Sequence, residues 1–236
     1  MKKVNANIKE WLIGVIFSLA MFLFFLITGF EIGAYGSWDF YQKEYEKYAV
    51  ADELYMEMED IMDVTKYMMS YLRGNEDELT IVTMVEGREQ DFFNEQDRFH
   101  MGEVRDLFLG GLMLRRIAVI TILICAFVLY KMKSNWKEFL PQIYRRTLAV
   151  LALLIGGLGL AIAQNFNKVF VIFHKIFFDN DLWIFDPATD YMIRMLPEGF
   201  FFDIVIRIGG TFILLLAVSL TGSVIISKTY KKNEIY

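Results

Sequence analysis

The chain contains two imidazoles: His100 in NEQDRFHMGEVRDLF (94–108) and His174 in VIFHKIFFDNDLWIFDPATD (171–190). Histidine is the side chain whose ordinary pKa, about 6.5, lets it take and return a proton at neutral pH. A single helical histidine is more often structural than catalytic. Two of them, each beside a span end and on the same side of a membrane, point to acid–base chemistry. Carboxylates follow His100 closely, and helical spacing sets His100, Glu103, Val104 and Leu107 along one face. Three arginines, Arg115, Arg116 and Arg207, fall in otherwise apolar sequence. There each must pair, snorkel or line a cavity, and Arg115 reads as snorkelling to headgroups. No G-x-S-x-G, H-E-x-x-H, Walker or dinucleotide motif occurs. Zinc is a weak reading, because no i, i+4 ligand pair exists. The lone Cys125 excludes an intrachain disulfide and a paired-cysteine zinc site, and reads as packing within a span.

What positions these groups is a membrane. Hydrophobic residues make up 56% of the 236, aromatic ones 16%, and the net charge is −5. That is too apolar for a soluble domain of this length. Four runs are readable as spans: 11–30, 107–130, 147–163 and 201–227. AYG (34–36) follows the first run as a small-x-small sequence, but that run exceeds a signal-peptide core and reads as a signal anchor. The tail 1–10 carries Lys2, Lys3 and Lys9, the stretch 131–146 carries Lys131, Lys133, Lys137, Arg145 and Arg146, and the C-tail carries Lys228, Lys231 and Lys232. Segment 34–113 holds 19 acidic and 7 basic residues, the opposite bias. Positive-inside counting therefore places both termini and the basic loop in the cytoplasm, and both histidines outside. The expected division is a tail and first span (1–33), an extracellular domain (34–106) and a second span (107–130). A cytoplasmic loop (131–146), a third span (147–165), an extracellular aromatic loop (166–200) and a fourth span with its tail (201–236) follow.

The acidic segment reads as two helical stretches. Tyr41, Tyr45 and Tyr48 recur at helical spacing, as do Ile61, Val64, Met68, Tyr71 and Leu72, and these read as core rather than as a cofactor site. Gly74 and Asn75 end the second stretch. LTIVTMVEGREQDFFN (79–94) suggests a small hairpin about its EGRE turn, and the following residues lead helically into the second span. The second outer segment is dense in Phe and Trp, as expected of the interfacial layer. A helix over 166–178 is expected there, with His174 on or beside an aromatic face and Asp179, Asn180 and Asp181 marking its end. Asp186 is the expected cap of a further helix to Leu196. The fold class is mainly α: a polytopic integral membrane protein with four transmembrane helices. Its extracellular helical domain carries a small β-hairpin.

Two blocks, FHMGEVRDLF (99–108) and FHKIFFDNDLW.FDPATDYMI.MLPEGFF (173–201), together with the four-span plan, resemble the lipoprotein intramolecular transacylase (Lit) family. The resemblance runs in the same order over nearly the whole chain, and its FH.IFF.N..W.FDP.TD portion is the more specific. Glu103 stands where an acidic residue of either length is expected.

The resemblance implies a bacterial cell-membrane acyltransferase. Its substrate is a diacylglyceryl-modified lipoprotein, and its product is the lyso form, with the sn-2 acyl chain moved to the cysteine's own α-amino group. His100 and His174 become the catalytic pair, with the choice of base between them open. Glu103 or Asp106 then orients His100, and Arg116 or Arg207 stabilises the oxyanion. Asn180, Trp183 and Asp190 carry over from the motif as shaping residues. Elementary chemistry agrees. Ester-to-amide transfer is downhill, so neither cofactor nor nucleotide is expected, and donor and acceptor share one molecule, so positioning supplies much of the acceleration. Lipoprotein and membrane lipid are the expected partners, and nucleic acid is not one. The alternatives are a non-enzymatic membrane sensor or ligand-binding protein, and a metal-dependent membrane hydrolase. The short basic cytoplasmic parts offer the sensor nothing to signal through. A transporter is disfavoured, because ionisable residues toward one leaflet make no through path.

Overall fold

The structure, a computed structural model, describes residues 6–233, with side chains described as far as Tyr230. Lys2 and Lys3, and the side chains of Lys231 and Lys232, which entered the charge count, lie outside the described residues. In order, the elements are α1 (Ile8–Tyr35), α2 (Trp38–Lys47), α3 (Val50–Leu54), α4 (Met58–Leu72), β1 (Val82–Val85) and β2 (Arg88–Asp91). Then come α5 (Glu95–Lys131), α6 (Trp136–Gln164), α7 (Phe166–Phe177), α8 (Tyr191–Met195) and α9 (Glu198–Asn233). Among the described residues four helices, α1, α5, α6 and α9, are long and apolar enough to cross a membrane. The chain divides into two compact units.

The first unit comprises Met1–Gly33, Met113–Gln164 and Ile208–Tyr236. Here α1 and α9 touch backbone to backbone. A Cβ on Gly29 would lie 2.9 Å from the Phe212 Cα, and one on Gly33 would lie 2.9 Å from the Ile208 Cα. GFEIG (29–33) is thus a small-xxx-small contact of the kind that packs helices in lipid, where small residues let backbones approach. Arg115 is ion-paired with Glu31. That corrects the snorkelling reading: a carboxylate from a distant helix meets the guanidinium, which need not reach headgroups. The helix α6 begins well before its apolar run and takes in most of the basic stretch expected as a loop. The reason is a second pattern: Phe139, Ile143, Tyr144 and Leu148 recur at helical spacing and are buried, Phe139 and Ile143 against Leu129. Polar contacts tie α6 to α9, with Tyr144 and Ser219 hydroxyls 2.6 Å apart and Arg145 donating to Ser223 Oγ at 2.9 Å. Cys125 is buried, as a packing residue should be.

The second unit comprises Ala34–Leu112 and Asn165–Arg207. Two helical stretches were expected in its acidic part and three form. Ala49 (φ 52°) and Tyr55 (φ 51°) are left-handed and bracket the short α3, a break that side-chain periodicity does not register. Tyr41 and Tyr45 are buried against Phe200, with ring centroids 5.6 and 5.9 Å away, and the Tyr45 and Thr65 hydroxyls meet at 2.7 Å. Ile61, Val64, Met68 and Leu72 complete this core. Tyr48 leaves it: its hydroxyl donates to Asp203 at 2.6 Å, and a Cβ on Gly199 would run into its ring. The hairpin pairs Val85 with Arg88 about Glu86 and Gly87, both at positive φ, as a type I′ turn demands. The α8 helix starts only after Asp190, so Asp186 does not cap it. Asp186 Oδ1 accepts from the Ala188 amide two residues on, forming a local turn that competes with the helix.

Candidate active site

His100 lies in the second turn of α5, whose start is fixed by a reciprocal cap. The Asp97 amide donates to Asn94 Oδ1 at 2.9 Å, and the Asn94 amide donates to Asp97 Oδ2 at 3.0 Å. His174 lies in the last turn of α7, which opens with Asn165 accepting from the Lys168 amide at 2.9 Å. The two imidazoles meet: they are 5% and 7% exposed, and their ring centroids are stacked 5.8 Å apart at 29°. Phe178 flanks both, at 4.9 Å from His100 and 5.4 Å from His174. Phe185 lies 5.5 Å from His100, while Phe170 and Trp183 lie 4.1 and 4.8 Å from His174.

An aromatic enclosure disfavours charge. Burial pushes the His174 pKa below the ordinary imidazole value, against a smaller upward pull from the Phe170 carbonyl. His174 therefore stands neutral at pH 7. Its Nδ1 lies 2.8 Å from the Phe170 carbonyl oxygen. A carbonyl only accepts, so Nδ1 carries the hydrogen and Nε2 carries the lone pair. In this tautomer the Nε2 lone pair can accept a proton.

Glu103 is the carboxylate beside His100. Its Oε2 is 3.9 Å from His100 Nδ1, too far for a hydrogen bond, and both atoms are buried without a partner. Its Oε1 accepts from Asn180 Nδ2 at 2.8 Å. Asn180 in turn accepts from the Leu182 amide at 2.9 Å and, through its carbonyl, from Trp183 Nε1 at 2.9 Å. A chain of contacts thus runs from His100 through Glu103, Asn180 and Trp183 to His174. Asp190, also buried, lies behind it. Its carboxylate accepts from Asn94 Nδ2 at 2.5 Å and from the Asp186 amide at 2.7 Å, tying the start of α5 to the 186–190 turn.

The remaining candidates have surroundings of their own. Asp106 is exposed, as six residues of helix turn it about 240° from His100. Arg207 lies over the Phe40 ring, 4.6 Å from its centroid. Arg116 is exposed and belongs to the first unit. Sequence reasoning passed over Asn94, Gln96, Phe170 and Phe178. Gln96 Nε2 holds the carbonyls of Leu182 and Ile184, each at 3.0 Å. The N-x-x-D spacing of Asn94 and Asp97 was the available signal for the cap. Among the described residues no group of three or more His, Cys, Asp or Glu is placed to hold a metal ion.

Among the described residues, four helices long and apolar enough to cross a membrane define a class, the multi-pass membrane proteins, and the second unit carries a buried imidazole pair beside a carboxylate. The model of one family, the lipoprotein intramolecular transacylases, matches residues 15–201, and the chain belongs to that family, Lit. It is therefore an acyltransferase of lipoprotein processing. Its fold is similar to that of the membrane integral lipoprotein intramolecular transacylase Lit from Bacillus cereus. The match has 25% identity and a TM-score of 0.75 over 97% of this chain and 99% of that one. A form of the Bacillus cereus protein with a histidine-to-alanine substitution matches at 24% identity and a TM-score of 0.71, over 97% and 96% of the two chains. Comparison with curated proteins returns no match.

Proposed function

We propose that this protein moves the sn-2 acyl chain of an S-diacylglyceryl cysteine to the α-amino group of the same cysteine, with His100 and His174 sharing the proton transfers. The observation that carries the reading is the stacked, buried imidazole pair with one tautomer fixed. The amine, with a reference pKa of about 7.7–8.0, must first be neutral. Its nitrogen attacks the ester carbonyl carbon, a C–N bond forms, and the carbonyl oxygen takes up charge. One imidazole accepts the proton that the nitrogen sheds. The bond to the glyceryl oxygen then breaks, and that oxygen leaves with a proton from the pair. Every atom of the substrate is retained, so the transfer consumes neither water nor nucleotide.

Glu103 is assigned to His100: as the imidazole gains charge, its Nδ1–H closes on the waiting Oε2. Asn180 and Trp183 position Glu103 and the His174 ring, and Asp190 shapes the segment between them. The second unit is assigned to the outer face of a bacterial cell membrane, with both termini cytoplasmic, on the charge bias of the sequence. The partners are diacylglyceryl lipoproteins and the surrounding lipid. Mass spectrometry of the N-terminal lipopeptide of a co-expressed lipoprotein, in a host lacking N-acylation, tests the reading. An N-acyl, S-monoacylglyceryl cysteine is expected. A free amine with both ester chains intact would refute it.

A further inference from the structure

We propose that the basic end of the first unit binds the headgroup of an anionic phospholipid, in a cleft between the α5–α6 turn and the end of α9. The cleft measures about 610 Å³. Two of its walls differ in chemistry. Ile225 and Ile226, on α9, are 58% and 37% exposed and form an apolar side on a helix long enough to span a bilayer. Facing them are Trp136 and Lys137, with the ammonium 5.7 Å from the indole centroid, and Ser134, whose buried Oγ has no hydrogen-bond partner. Tyr230 closes the rim, and its hydroxyl is bonded to the Asn135 side chain, which ties the turn to α9.

The position selects the ligand. Three candidate spans end around this cleft: α5 at Lys131, α6 at Trp136 and α9 at Tyr230. Trp and Tyr favour the level where chains give way to headgroups. The local charge is cationic. Lys131, Lys133, Lys137, Arg145 and Arg146 stand against Glu138 alone within 131–146, and Lys228 adds to them. Arg145 is engaged by Ser223 and Ser227, and Glu138 accepts from Asn135; among the described residues Lys137 is the cation that lines the cleft. A phosphodiester would meet the Lys137 ammonium and the Ser134 hydroxyl, while its acyl chain lies along Ile225 and Ile226. A free phosphate would use the first contacts and leave the apolar wall without a partner.

The test is native mass spectrometry of the full chain in detergent, titrated with dioleoyl phosphatidylglycerol, dioleoyl phosphatidylcholine or inorganic phosphate. One tight phosphatidylglycerol adduct is expected, with phosphatidylcholine binding at least fivefold more weakly. Each lysine near an anionic lipid surface is worth about fivefold in affinity, so Lys137→Gln should weaken the adduct about fivefold and Lys137→Glu about thirtyfold. Ile225→Ser should weaken it while leaving the charge intact, and Lys168→Gln on α7 should change nothing. Unaltered affinity in both Lys137 variants would overturn the site. Equal binding of phosphatidylcholine would overturn the headgroup selectivity. Displacement by equimolar inorganic phosphate would overturn the lipid as ligand.

Discussion

If His100 and His174 act as one catalytic unit, their substitutions should fail together. His100→Asn and His174→Asn each remove a proton carrier and keep a neutral amide of similar shape. General acid–base catalysis contributes 10²–10⁴-fold, so each single variant should lose about a hundredfold or more in turnover, at least about 2.7 kcal/mol in barrier. Independent sites would multiply to about 10⁴-fold or more in the double variant. The stacked rings, 5.8 Å apart, argue otherwise: with one proton carrier gone, the other has no relay to complete, and the double variant should be scarcely slower than the weaker single one. Stability should change little by comparison. His174 packs against Phe170, Phe178 and Trp183, and the smaller amide there should cost about 1–2 kcal/mol. The assay is liquid chromatography–mass spectrometry of the lyso product, from protein in vesicles given a synthetic diacylglyceryl lipopeptide and normalised to folded protein by thermal denaturation. Full activity in His100→Asn beside an inactive His174→Asn would break the pair. So would a double variant slower by the product of the two.

Other consequences are open to direct measurement. The pKa of His174 is lowered by burial, so the acid limb of the pH–rate profile should fall below about 6.5, while the rate climbs towards pH 8 as the amine loses its proton. The unfolded chain binds that proton at a higher pH than the folded one, so stability should decline as pH drops through 6.5 in wild type and decline less in His174→Asn. Gly199→Ala should destabilise the protein by about 1–3 kcal/mol in thermal denaturation, because the Tyr48 ring it meets is held by Asp203; an unchanged melting temperature would contradict this. Membrane-impermeant maleimide should label cysteines placed at Asn75 and Thr189 from outside intact cells but not one at Asn135, and labelling at Asn135 would invert the topology. Chelators should leave turnover unchanged, whereas loss with EDTA and recovery with zinc would favour a metal-dependent hydrolase.

What was legible in the sequence was whatever repeats locally. The spans show as apolar runs, the hairpin as β-branched residues about EGRE, and the end of α7 as a polar cluster after an aromatic helix. The buried face of α6 was equally periodic, but basic residues interleaved with Phe139 and Ile143 made that stretch read as a loop. Backbone dihedrals at Ala49 and Tyr55 leave no mark on side-chain periodicity, so α3 could not be separated. Partners supplied from far along the chain were invisible for another reason. Glu31 carries no sign that Arg115 will meet it, and Asp190 none that Asn94 will. The histidines were visible singly, as the only two imidazoles, and spacing cannot bring residues of α5 and α7 together. Family motifs named them as a pair, and the tertiary structure gives them a distance.

The backbone contact between α1 and α9 bears on how the molecule is made. Gly29 and Gly33 leave the ribosome well before their contacts Ile208 and Phe212. At about 5–20 residues per second, the interval is on the order of ten seconds or more. For that time α1 sits in the bilayer with its glycine groove open and Glu31 waiting for Arg115, which arrives about midway. Helices can insert one by one, but this contact closes only when α9 arrives. A nascent chain halted before residue 208 would therefore expose that glycine face to any neighbouring helix with small residues of its own.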